Sequence, residues 1–380
     1  MKNKIGISII EPVGGHGGMD YYDLSLLNEL KLQNDLKVEL YTSDYTITND
    51  EYIHKVFRGI YGKTNKYLRA FRFIKGLFKS LNSSKKKKSQ IVHYHFFHTS
   101  IMELIMVVFA KVYGFKIVVT AHDVESFVDG SSDKISKYIY NQADAIIAHN
   151  EFTKNELVKK KVGKSNNIYI IPHGNYIPVV RHDISKDKAS LKLGLENTDD
   201  KIILFFGQIK EVKGLDILIN SIPEVEKHVQ NIKLLVAGRP WKDSFTKYMD
   251  AIEQANILDK TILHIRYIEN NEVDYYFNYA DIVVLPYKKI YQSGVLLNAL
   301  SYKKSVVVSD LPAMKEMITD GENGFIFKSE DEMDLAHTLI KALKNDENLK
   351  IIGQNGYNKV LINNDWHKIA KKTAQLYQHI

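Results

Sequence analysis

The sequence predicts an α/β fold with two Rossmann-like parallel-sheet domains, and three observations lead to this prediction. A length of 380 residues corresponds to two domains, at roughly 150 residues for each. Short apolar runs typical of buried strands alternate with segments of helical spacing, which is the pattern of parallel sheets with crossover helices. Residues 177–200 are polar and linker-like, so the boundary between the two domains is expected near residue 175.

The composition is that of a soluble globular protein and excludes several classes. Apolar residues make up 44% of the chain and charged residues 26%. No apolar run reaches the roughly 18 residues of a membrane-spanning helix, and residues 1–4 lead directly into a strand, so no signal peptide is expected. Because the chain has no cysteine, disulfides and thiolate metal sites are excluded.

The net charge of +7 belongs to the N-terminal half. Residues 1–175 carry 25 Lys and Arg against 17 Asp and Glu, whereas residues 176–380 carry 27 against 28. A basic excess confined to one half favours an anionic partner for that half, either nucleic acid or an anionic membrane.

The first strand and helix enclose a glycine-rich segment. Residues 5–10 predict a buried strand, residues 11–18 the glycine-rich turn, and residues 19–30 an amphipathic helix. Such a turn lets the backbone approach a phosphate or a sugar. Its spacing is not Gly-x-Gly-x-x-Gly, but Asp44, after the next strand, leaves an NAD site open as an alternative. Further strands of this half are expected at 38–41, 91–95, 116–120, 145–148 and 168–171.

Residues 66–79 indicate an amphipathic helix with a strongly basic side. Its apolar face carries Tyr67, Phe71, Ile74 and Phe78, and its other face carries Lys66, Arg69, Arg72, Lys75 and Lys79. This composition is typical of a helix in a membrane interface, and equally of a helix that packs its apolar face on the sheet of its own domain. Residues 85–88 are expected to form a mobile basic loop that adds to the same patch.

Two histidines of the first half follow strands directly. His122 stands at the carboxyl end of the strand at 116–120, where a side chain is placed to meet a ligand, and Asp123 is available to orient it. His173 precedes Gly174 after the last strand of this half. His173 could face a ligand or fill a glycine turn through which the chain enters the next domain, and we favour the turn.

The segment 280–316 predicts one β-α-β unit with a binding loop. A strand at 282–285 is followed by Gln292-Ser293-Gly294, a helix at 295–302 and a strand at 306–308. The loop lies at the carboxyl end of a parallel strand, where open α/β sheets bind their ligands. A helix that begins at Ser293 and Gly294 presents free N–H groups and the positive end of its dipole, which suits a phosphate. The alternative is an ordinary strand–helix pair with no ligand.

Three other strands of the second half also end in polar or glycine residues. Residues 202–206 are followed by Gly207-Gln208 and then by Lys213-Gly214, 233–237 by Gly238-Arg239, and 262–265 by Arg266-Tyr267. Helices are expected near 331–345 and at 366–380.

These segments resemble the retaining glycosyltransferases of family 4, glycosyl transferases group 1, which have the GT-B fold. The resemblance rests on the spacing of 280–316 with Gly294, Ala299, Asp310 and Glu316, on Pro172-His173-Gly174, and on Lys213-Gly214. It implies two Rossmann-like domains that face a deep cleft: an acceptor domain at 1–175 and a donor domain at 176–364. It also implies that a helix at 365–380 crosses back to the first domain.

The sequence departs from the family pattern at three positions. Ile290 and Asn298 occupy the positions, eight residues apart, where the family usually has two glutamates, and Gln208 replaces an arginine. Asn298 can still offer an oxygen to the ribose, and Gln292 is the candidate to hold the sugar hydroxyls. Arg239 or Arg266 could replace the missing arginine.

The resemblance implies a role for each site residue. His122, Gln292 and Lys213 are the catalytic candidates, with His122 beside the donor sugar. The donor-binding candidates are Gly15, Gly17, Gly207, Gln208, Lys213, Arg239, Tyr267, Ser293, Gly294, Val295 and Asn298. Asp123, His173 and Glu316 are further candidates. No Asp-x-Asp occurs in the sequence, so neither a metal nor a cofactor is expected, and the nucleotide sugar is the substrate.

The activity implied is sugar transfer with retention from a nucleotide-diphosphate sugar, with UDP favoured over GDP. The acceptor would be a glycan or lipid-linked glycan of a surface polysaccharide, such as capsule or lipopolysaccharide, or of a glycolipid. The enzyme would be cytoplasmic or peripheral on the inner membrane face, with no nucleic acid partner. A GT-B nucleotide-sugar epimerase and a non-catalytic GT-B subunit are the alternatives, and assays of transfer and of the product anomer separate the three.

Overall fold

The chain forms two compact units, each built on its own parallel sheet. The structure is a computed structural model, and it describes residues 4–15, 18–62, 64–124, 133–163, 165–196, 199–241 and 244–380. Unit 1 consists of Met1–Gly174 and Asp365–Ile380, and unit 2 of Asn175–Asn364. The predicted class, two parallel-sheet α/β domains with the last helix in the first domain, is confirmed.

Unit 1 contains a seven-stranded sheet in the order β3-β2-β1-β4-β5-β6-β7. Its strands are β1 (Ile5–Ile10), β2 (Leu36–Ser43), β3 (Ile53–Phe57), β4 (Ile91–Phe96), β5 (Lys116–Ala121), β6 (Ala145–Ala148) and β7 (Ile168–Ile170). Its first helices are α1 (Met19–Lys31), α2 (Lys66–Lys86), α3 (Ile101–Val112), α4 (Asp133–Asn141) and α5 (Glu151–Lys159). The pairs are parallel, with Ile7 of β1 opposite Val38 of β2 and Ile91 of β4. The strand order therefore reverses between β1 and β4.

The helix α14 (Trp366–His379) completes unit 1 rather than unit 2. Trp366 packs edge-on against Tyr22 of α1, with 5.2 Å between ring centroids, and the Tyr377 hydroxyl lies 2.7 Å from His93 Nδ1. Gly174 has room for no side chain, because a Cβ there would lie 2.0 Å from the Trp366 ring. The glycine thus serves the packing of α14.

Unit 2 contains a six-stranded parallel sheet in the order β10-β9-β8-β11-β12-β13. Its strands are β8 (Lys201–Phe206), β9 (Ile232–Ala237), β10 (Thr261–His264), β11 (Ile282–Leu285), β12 (Ser305–Ser309) and β13 (Phe325–Phe327). Its helices are α6 (Lys186–Leu193), α7 (Leu215–His228), α8 (Thr246–Gln254), α9 (Val273–Tyr279), α10 (Gly294–Ser301), α11 (Pro312–Lys315), α12 (Glu332–Leu343) and α13 (Asp346–Asn363). The order reverses between β8 and β11, so this sheet also has a switch point there.

Two segments differ from the sequence predictions. The prediction of a mobile loop at 85–88 is wrong for its first half, because α2 continues to Lys86. The linker-like segment 177–200 contains α6, which Ser185 caps at its N-terminus and Gly194 ends in a left-handed conformation. Both helices bury few residues: α2 buries Gly76, Leu77, Ser80, Leu81 and Ser84, and α6 buries Ala189 and Ser190.

The two halves of the amphipathic helix α2 differ in burial. Its second half lies on the sheet of unit 1: Leu77 and Leu81 are buried, and a Cβ on Gly76 would meet the Phe57 ring at 2.5 Å. In its first half, Tyr67 is 73% and Phe71 65% exposed. Among the described residues, no helix is long and apolar enough to cross a membrane.

Candidate active site

The switch point of unit 2 brings two loops together. The loop after β8 leads into α7, and the loop after β11 leads into α10. The Lys288 N–H donates to the Val212 carbonyl at 2.9 Å, which joins the two loops. Gly214 (φ +66°) lies against the second loop so closely that a Cβ would fall 1.8 Å from the Pro286 carbonyl oxygen. Any side chain at residue 214 would therefore push the loops apart.

Lys213 reaches the second loop with its side chain. Its Nζ lies 3.7 Å from the ring centroid of Tyr287, a distance at which the ring attracts the ammonium group. Tyr287 is buried, and burial raises the pKa of its phenol, so the ring stays neutral. The ring thus holds a cation at the loop after β11, and a role of Lys213 on a diphosphate stays a prediction.

The N-terminus of α10 presents free donors at this switch point. The Ser293 hydroxyl caps the helix by accepting from the Leu296 N–H at 3.2 Å. The first backbone bond of the helix runs from Leu297 to Ser293, so the N–H groups of Gly294 and Val295 precede the helical ladder. A Cβ on Gly294 would lie 3.1 Å from the Tyr176 hydroxyl. The space between this helix end and Tyr176 is therefore narrow, and the absence of a side chain at Gly294 leaves it unfilled.

The glycine at residue 207 belongs to the same group. Gly207 has φ +103°, and a Cβ there would lie 3.3 Å from the Val295 side chain, which places it beside the α10 N-terminus. A Cβ on Gly238 would fall 1.8 Å from the Gly207 carbonyl oxygen. Gln208, Gln292 and Asn298 are half-buried nearby in sequence, on the two loops and on α10.

The two candidate replacement arginines differ in their environment. Arg266 donates to both carboxylate oxygens of Glu272, at 2.7 and 2.6 Å, so its charge is already balanced. Arg239 is exposed and lies 5.5 Å from the Tyr267 ring centroid. Its backbone carbonyl accepts from Ile209 N–H, next to Gln208. Arg239 is therefore the better candidate for the missing cation, while Glu316 is exposed at the end of α11.

In unit 1, His122 is buried at the carboxyl end of β5. Its ring stacks on Phe97, with 4.5 Å between centroids, and its Nδ1 lies 3.2 Å from His149 Nε2. Burial, with His149 as the nearest of several other histidines, holds the pKa of His122 well below its ordinary value, so the imidazole is neutral. Among the residues that the structure describes, no group hydrogen-bonds His122 Nε2.

The neighbouring bonds decide the tautomer of His122. His149 Nδ1 lies 3.0 Å from the Ile171 carbonyl, which can only accept, so this nitrogen carries the hydrogen. Burial lowers the pKa of His149 to about 4, so the ring is neutral and its Nε2 accepts. His122 Nδ1 must then donate, and its Nε2 is left with a lone pair. This nitrogen can accept a hydrogen bond from a hydroxyl.

Comparison with known proteins places the whole arrangement in a family. Residues 16–175 match Glycosyltransferase Family 4, and residues 187–359 match Glycosyl transferases group 1. The chain belongs with the group 1, family 4-like glycosyltransferases. One matched region lies in unit 1 and the other in unit 2, so each unit corresponds to one domain of the GT-B fold.

Individual relatives of this glycosyltransferase are distant. The capsular polysaccharide biosynthesis glycosyltransferase CapM of Staphylococcus aureus is 25% identical over 57% of this chain. The matched regions span 61% and 57% of the lengths of two curated relatives. Sucrose-phosphate synthase from Thermosynechococcus elongatus superposes with a TM-score of 0.79 at 18% identity, over 99% of both chains. Anabaena HepE in complex with UDP and glucose gives 0.77 at 14% identity, over 99% of this chain and 100% of HepE.

Contacts within unit 1 determine the conformation of the glycine-rich loop. Gly15 (φ +76°) donates its N–H to the Asp20 carboxylate at 2.6 Å, and a Cβ there would lie 2.4 Å from the Tyr45 carbonyl oxygen. Gly17 lies outside the described residues. Glu11 accepts from the N–H groups of Val13 and Gly14 at 2.9 and 2.8 Å. A donor role for Gly15 and Gly17 stays a prediction.

His173 does not fill a turn, so that interpretation was wrong. It is buried, with its ring centroid 4.8 Å from Tyr22 and 5.5 Å from His149. Its Nδ1 lies 2.7 Å from the Gly174 carbonyl oxygen, and burial lowers its pKa to about 3. Asp123 is half-buried after His122, and its orienting role stays a prediction because the partner found at His122 Nδ1 is His149.

Sequence reasoning missed three residues that lie against candidate site residues: His149, Tyr176 and Tyr287. His149 contacts His122, Tyr176 lies beside Gly294, and the ring of Tyr287 faces Lys213. A signal existed only for His149, which follows the strand at 145–148 as His122 follows 116–120. Within the described ranges, no three histidine or carboxylate side chains form a group that could hold a metal.

Proposed function

We propose that this chain is a retaining, metal-independent glycosyltransferase that uses a nucleotide-diphosphate sugar, with UDP favoured over GDP. Its acceptor would be a glycan or a lipid-linked glycan of a surface polysaccharide or a glycolipid. The observation that carries the proposal is the switch point of unit 2, where Lys213 and the free N–H groups of Gly294 and Val295 gather within one pair of bonded loops.

This switch point suits a diphosphate. The α10 N-terminus contributes the positive end of the helix dipole, and Lys213 contributes a full charge. Together they offset the negative charge that grows on a departing nucleoside diphosphate. UDP is favoured because HepE, with the same fold, was solved with UDP. Arg239 is placed to supply the second cation that Gln208 does not.

The proposed step conserves the anomeric configuration through attack on the front face. The bond between the sugar C1 and the diphosphate oxygen breaks, and its electron pair stays on the diphosphate. The acceptor hydroxyl oxygen bonds to C1 on the same face, and its proton moves to the departing phosphate oxygen. Such a step needs positioning and charge stabilisation more than a general base.

His122 would position the donor sugar. Its Nε2 lone pair accepts a hydrogen bond from a sugar hydroxyl, and its neutral ring adds no charge that would compete with the diphosphate. Gln292 would hold further hydroxyls, and Asn298 the ribose, because a side-chain amide both donates and accepts.

The first half of α2 supports a location on the inner face of the cytoplasmic membrane. The exposed rings of Tyr67 and Phe71 stand among Lys66, Arg72 and Lys75 on the first three turns of the helix. Aromatic rings and cations together are typical of a helix that rests in the headgroup region of an anionic bilayer. Transfer to a lipid-linked acceptor would then occur at this surface.

A nucleotide titration tests the proposed function. UDP at a hundred times its Kd should stabilise the protein by about 2.7 kcal/mol. For a unit of this size, that free energy corresponds to a rise in Tm of roughly 5–10 °C. The rise should be the same in EDTA as in Mg²⁺, because the site supplies its own positive charge. Strict loss of the UDP effect in EDTA would contradict metal independence, and failure of every UDP- and GDP-sugar to support transfer would contradict the activity.

A further inference from the structure

Unit 1 contains a cavity of about 280 Å³ at the switch point between β1 and β4. The loop after β1, the end of β4 and the first turns of α2 and α3 surround it. Small-molecule sites have volumes of roughly 300–1,000 Å³. The cavity therefore fits one part of a ligand rather than the whole of a large one.

Most of the cavity wall is apolar. Six aromatic or aliphatic side chains from four different segments form it: Ile60, Phe73, Phe96, Phe97, Met102 and Met106. Methionines adapt their shape to a flexible chain, and the phenylalanines supply flat surfaces. Such a wall binds a hydrocarbon group and gives no hydrogen bonds to a free sugar.

One side of the cavity is polar, and two of its buried side-chain nitrogens have no hydrogen-bond partner among the described residues. Lys66 and Arg69 of α2 line this side; Arg69 Nη1 lies 3.5 Å from the Gly62 carbonyl oxygen, and Arg69 Nε has no partner within the described ranges. His95 lines it as well; its side chain is fully buried, and no described group hydrogen-bonds its Nε2. Two cations and a buried nitrogen therefore meet beside an apolar wall.

The state of His95 favours an anion. Its Nδ1 lies 2.8 Å from Asp23 Oδ1. Burial, with Asp20 adding, raises the pKa of Asp23 well above its ordinary value, so the neutral carboxyl donates to Nδ1. Burial also lowers the pKa of His95 to about 4. The neutral imidazole then carries its hydrogen on Nε2, which becomes an unpartnered donor.

Two cations outweigh the glutamates that line the cavity. Burial raises the pKa of Glu11 to about 8, so this carboxyl is mostly neutral at pH 7. Glu103 is engaged at the start of α3, where its Oε2 accepts from the Ser100 N–H at 2.8 Å. Lys66 and Arg69 thus dominate the local charge.

We propose that this cavity binds a lipid phosphate, with the hydrocarbon chain against the apolar wall and the phosphate on Arg69, Lys66 and His95. The inference rests on the proposed function, because the lipid phosphate would be the anchor of the acceptor that receives the sugar. The exposed rings of α2 lie on the same helix as Arg69, so a lipid can enter from the surface on which that helix rests.

Calorimetric titration of the full chain with geranyl phosphate, below its micelle concentration and without donor, tests the proposal. Geraniol and inorganic phosphate separate the contributions of the chain and of the phosphate. Geranyl phosphate should bind at least about tenfold more tightly than either, because charge-assisted hydrogen bonds to phosphate add to burial of the chain. Equal affinity of geraniol and geranyl phosphate would overturn the phosphate assignment.

Two variants and a control locate the site. Arg69→Gln should weaken geranyl phosphate by about tenfold and leave geraniol unchanged. Ala70→Phe, which fills the cavity from α2, should weaken both. Lys79→Gln removes a charge from the same helix away from the cavity and should change neither. If Ala70→Phe binds both probes normally, or if Lys79→Gln matches Arg69→Gln, the cavity is not the site.

The outcome is independent of the donor reaction. Geranyl phosphate binding without any sugar transfer would sink the proposed function and keep this site. Transfer to a soluble acceptor with no geranyl phosphate binding would do the reverse. A far-UV circular dichroism spectrum and a Tm close to those of the wild type should show that the Ala70→Phe variant is folded, and UDP should bind it normally.

Discussion

The two sheets carry different polar groups at their carboxyl ends: those of unit 1 are neutral, and those of unit 2 include a positive charge. In unit 1, histidines stand at the ends of β5 and β6 and after β7, and burial lowers the pKa of each. In unit 2, the ends of β8 and β11 carry glycines, free helix N–H groups and Lys213. The first arrangement is polar without charge, which suits hydroxyls. The second is positive, which suits phosphates.

Replacing His122 should have the largest effect. His122→Ala removes the free Nε2 acceptor and should lower sugar transfer at least about 100-fold, the usual cost of losing one well-placed hydrogen bond in a transition state. The Kd for UDP should stay within about twofold, since the loss of a neutral group costs no phosphate contact. Initial rates and calorimetric titration measure the two quantities.

His122→Gln is the matched control for that variant. Its amide oxygen can still accept a hydrogen bond, so part of the lost rate should return. Full transfer activity in the alanine variant would mean that the role of His122 is purely structural. A large loss of UDP affinity would contradict the comparison, in which neutral groups of unit 1 suit hydroxyls and positive groups of unit 2 suit phosphates.

Replacing Lys213 should affect the opposite property. Lys213→Gln should raise the Kd for UDP by about 10- to 100-fold, which corresponds to roughly 1.5–3 kcal/mol for a hydrogen bond to a charged group. Lys213→Arg keeps the charge over Tyr287 and should lose far less. Unchanged UDP affinity in the glutamine variant would leave Lys213 as an ordinary surface lysine.

Acid should weaken unit 1 more than unit 2. The pKa of His95 and of His149 falls to about 4 in the folded state and that of His173 to about 3, from 6.5. The folded state therefore binds fewer protons than the unfolded one, and the stability that these residues contribute is complete above pH 6.5 and lost as the pH falls towards 4.

Glu11 acts in the other direction. Its pKa rises to about 8 from 4.5, so its contribution is complete below pH 4.5 and lost as the pH rises to 8. Burial raises the pKa of Asp23 as well, so Asp23 acts in the same direction, but the three histidines outnumber these two carboxyls between pH 6.5 and 4.5. Hydrogen exchange at pH 5 and pH 7, corrected for intrinsic rates, should show protection lost in β4–β6 and kept in β8 and β9. Equal loss in both sheets would contradict the comparison.

The membrane surface of α2 should produce the smallest change in the folded protein. Arg72→Gln with Lys75→Gln should release the chain from anionic vesicles, at about 1 kcal/mol for each cation. Wild-type binding should weaken as salt rises, since the Debye length is about 8 Å at physiological ionic strength. Tm and transfer to a short soluble acceptor should hardly change. If the wild type does not bind anionic vesicles, α2 is not a membrane-binding helix.

The fold was predictable wherever burial was continuous. Apolar runs such as residues 5–10 and 202–206 become strands covered on both faces, so composition alone identifies them. The edge strand β3 was missed because its sequence, IHKVF, is mixed and only Phe57 is buried. The helix α6 was missed because its eight residues bury only Ala189 and Ser190.

The site was predictable only as far as its chemistry is local. Gly294 and Lys213 stand at loop positions that the sequence marks by their place after strands. The partner of each is remote: Tyr176 meets Gly294 from 118 residues away, and Tyr287 meets Lys213 from the next loop of the sheet. The prediction for His173 was wrong for the same reason. The neighbouring Gly174 is required by Trp366, which lies 192 residues after that glycine.

The adjacency of Asn175 and Asn364 has a consequence for synthesis. The Asn175 N–H donates to the Asn364 carbonyl at 2.8 Å, so the chain enters and leaves unit 2 at one point. Unit 2 is a continuous segment and can close as soon as residue 364 has left the ribosome. Unit 1 is discontinuous: its core has to wait for Trp366 and Tyr377 of α14. The half translated first is thus the half completed last, and until then the part of its apolar core that α14 covers stays exposed.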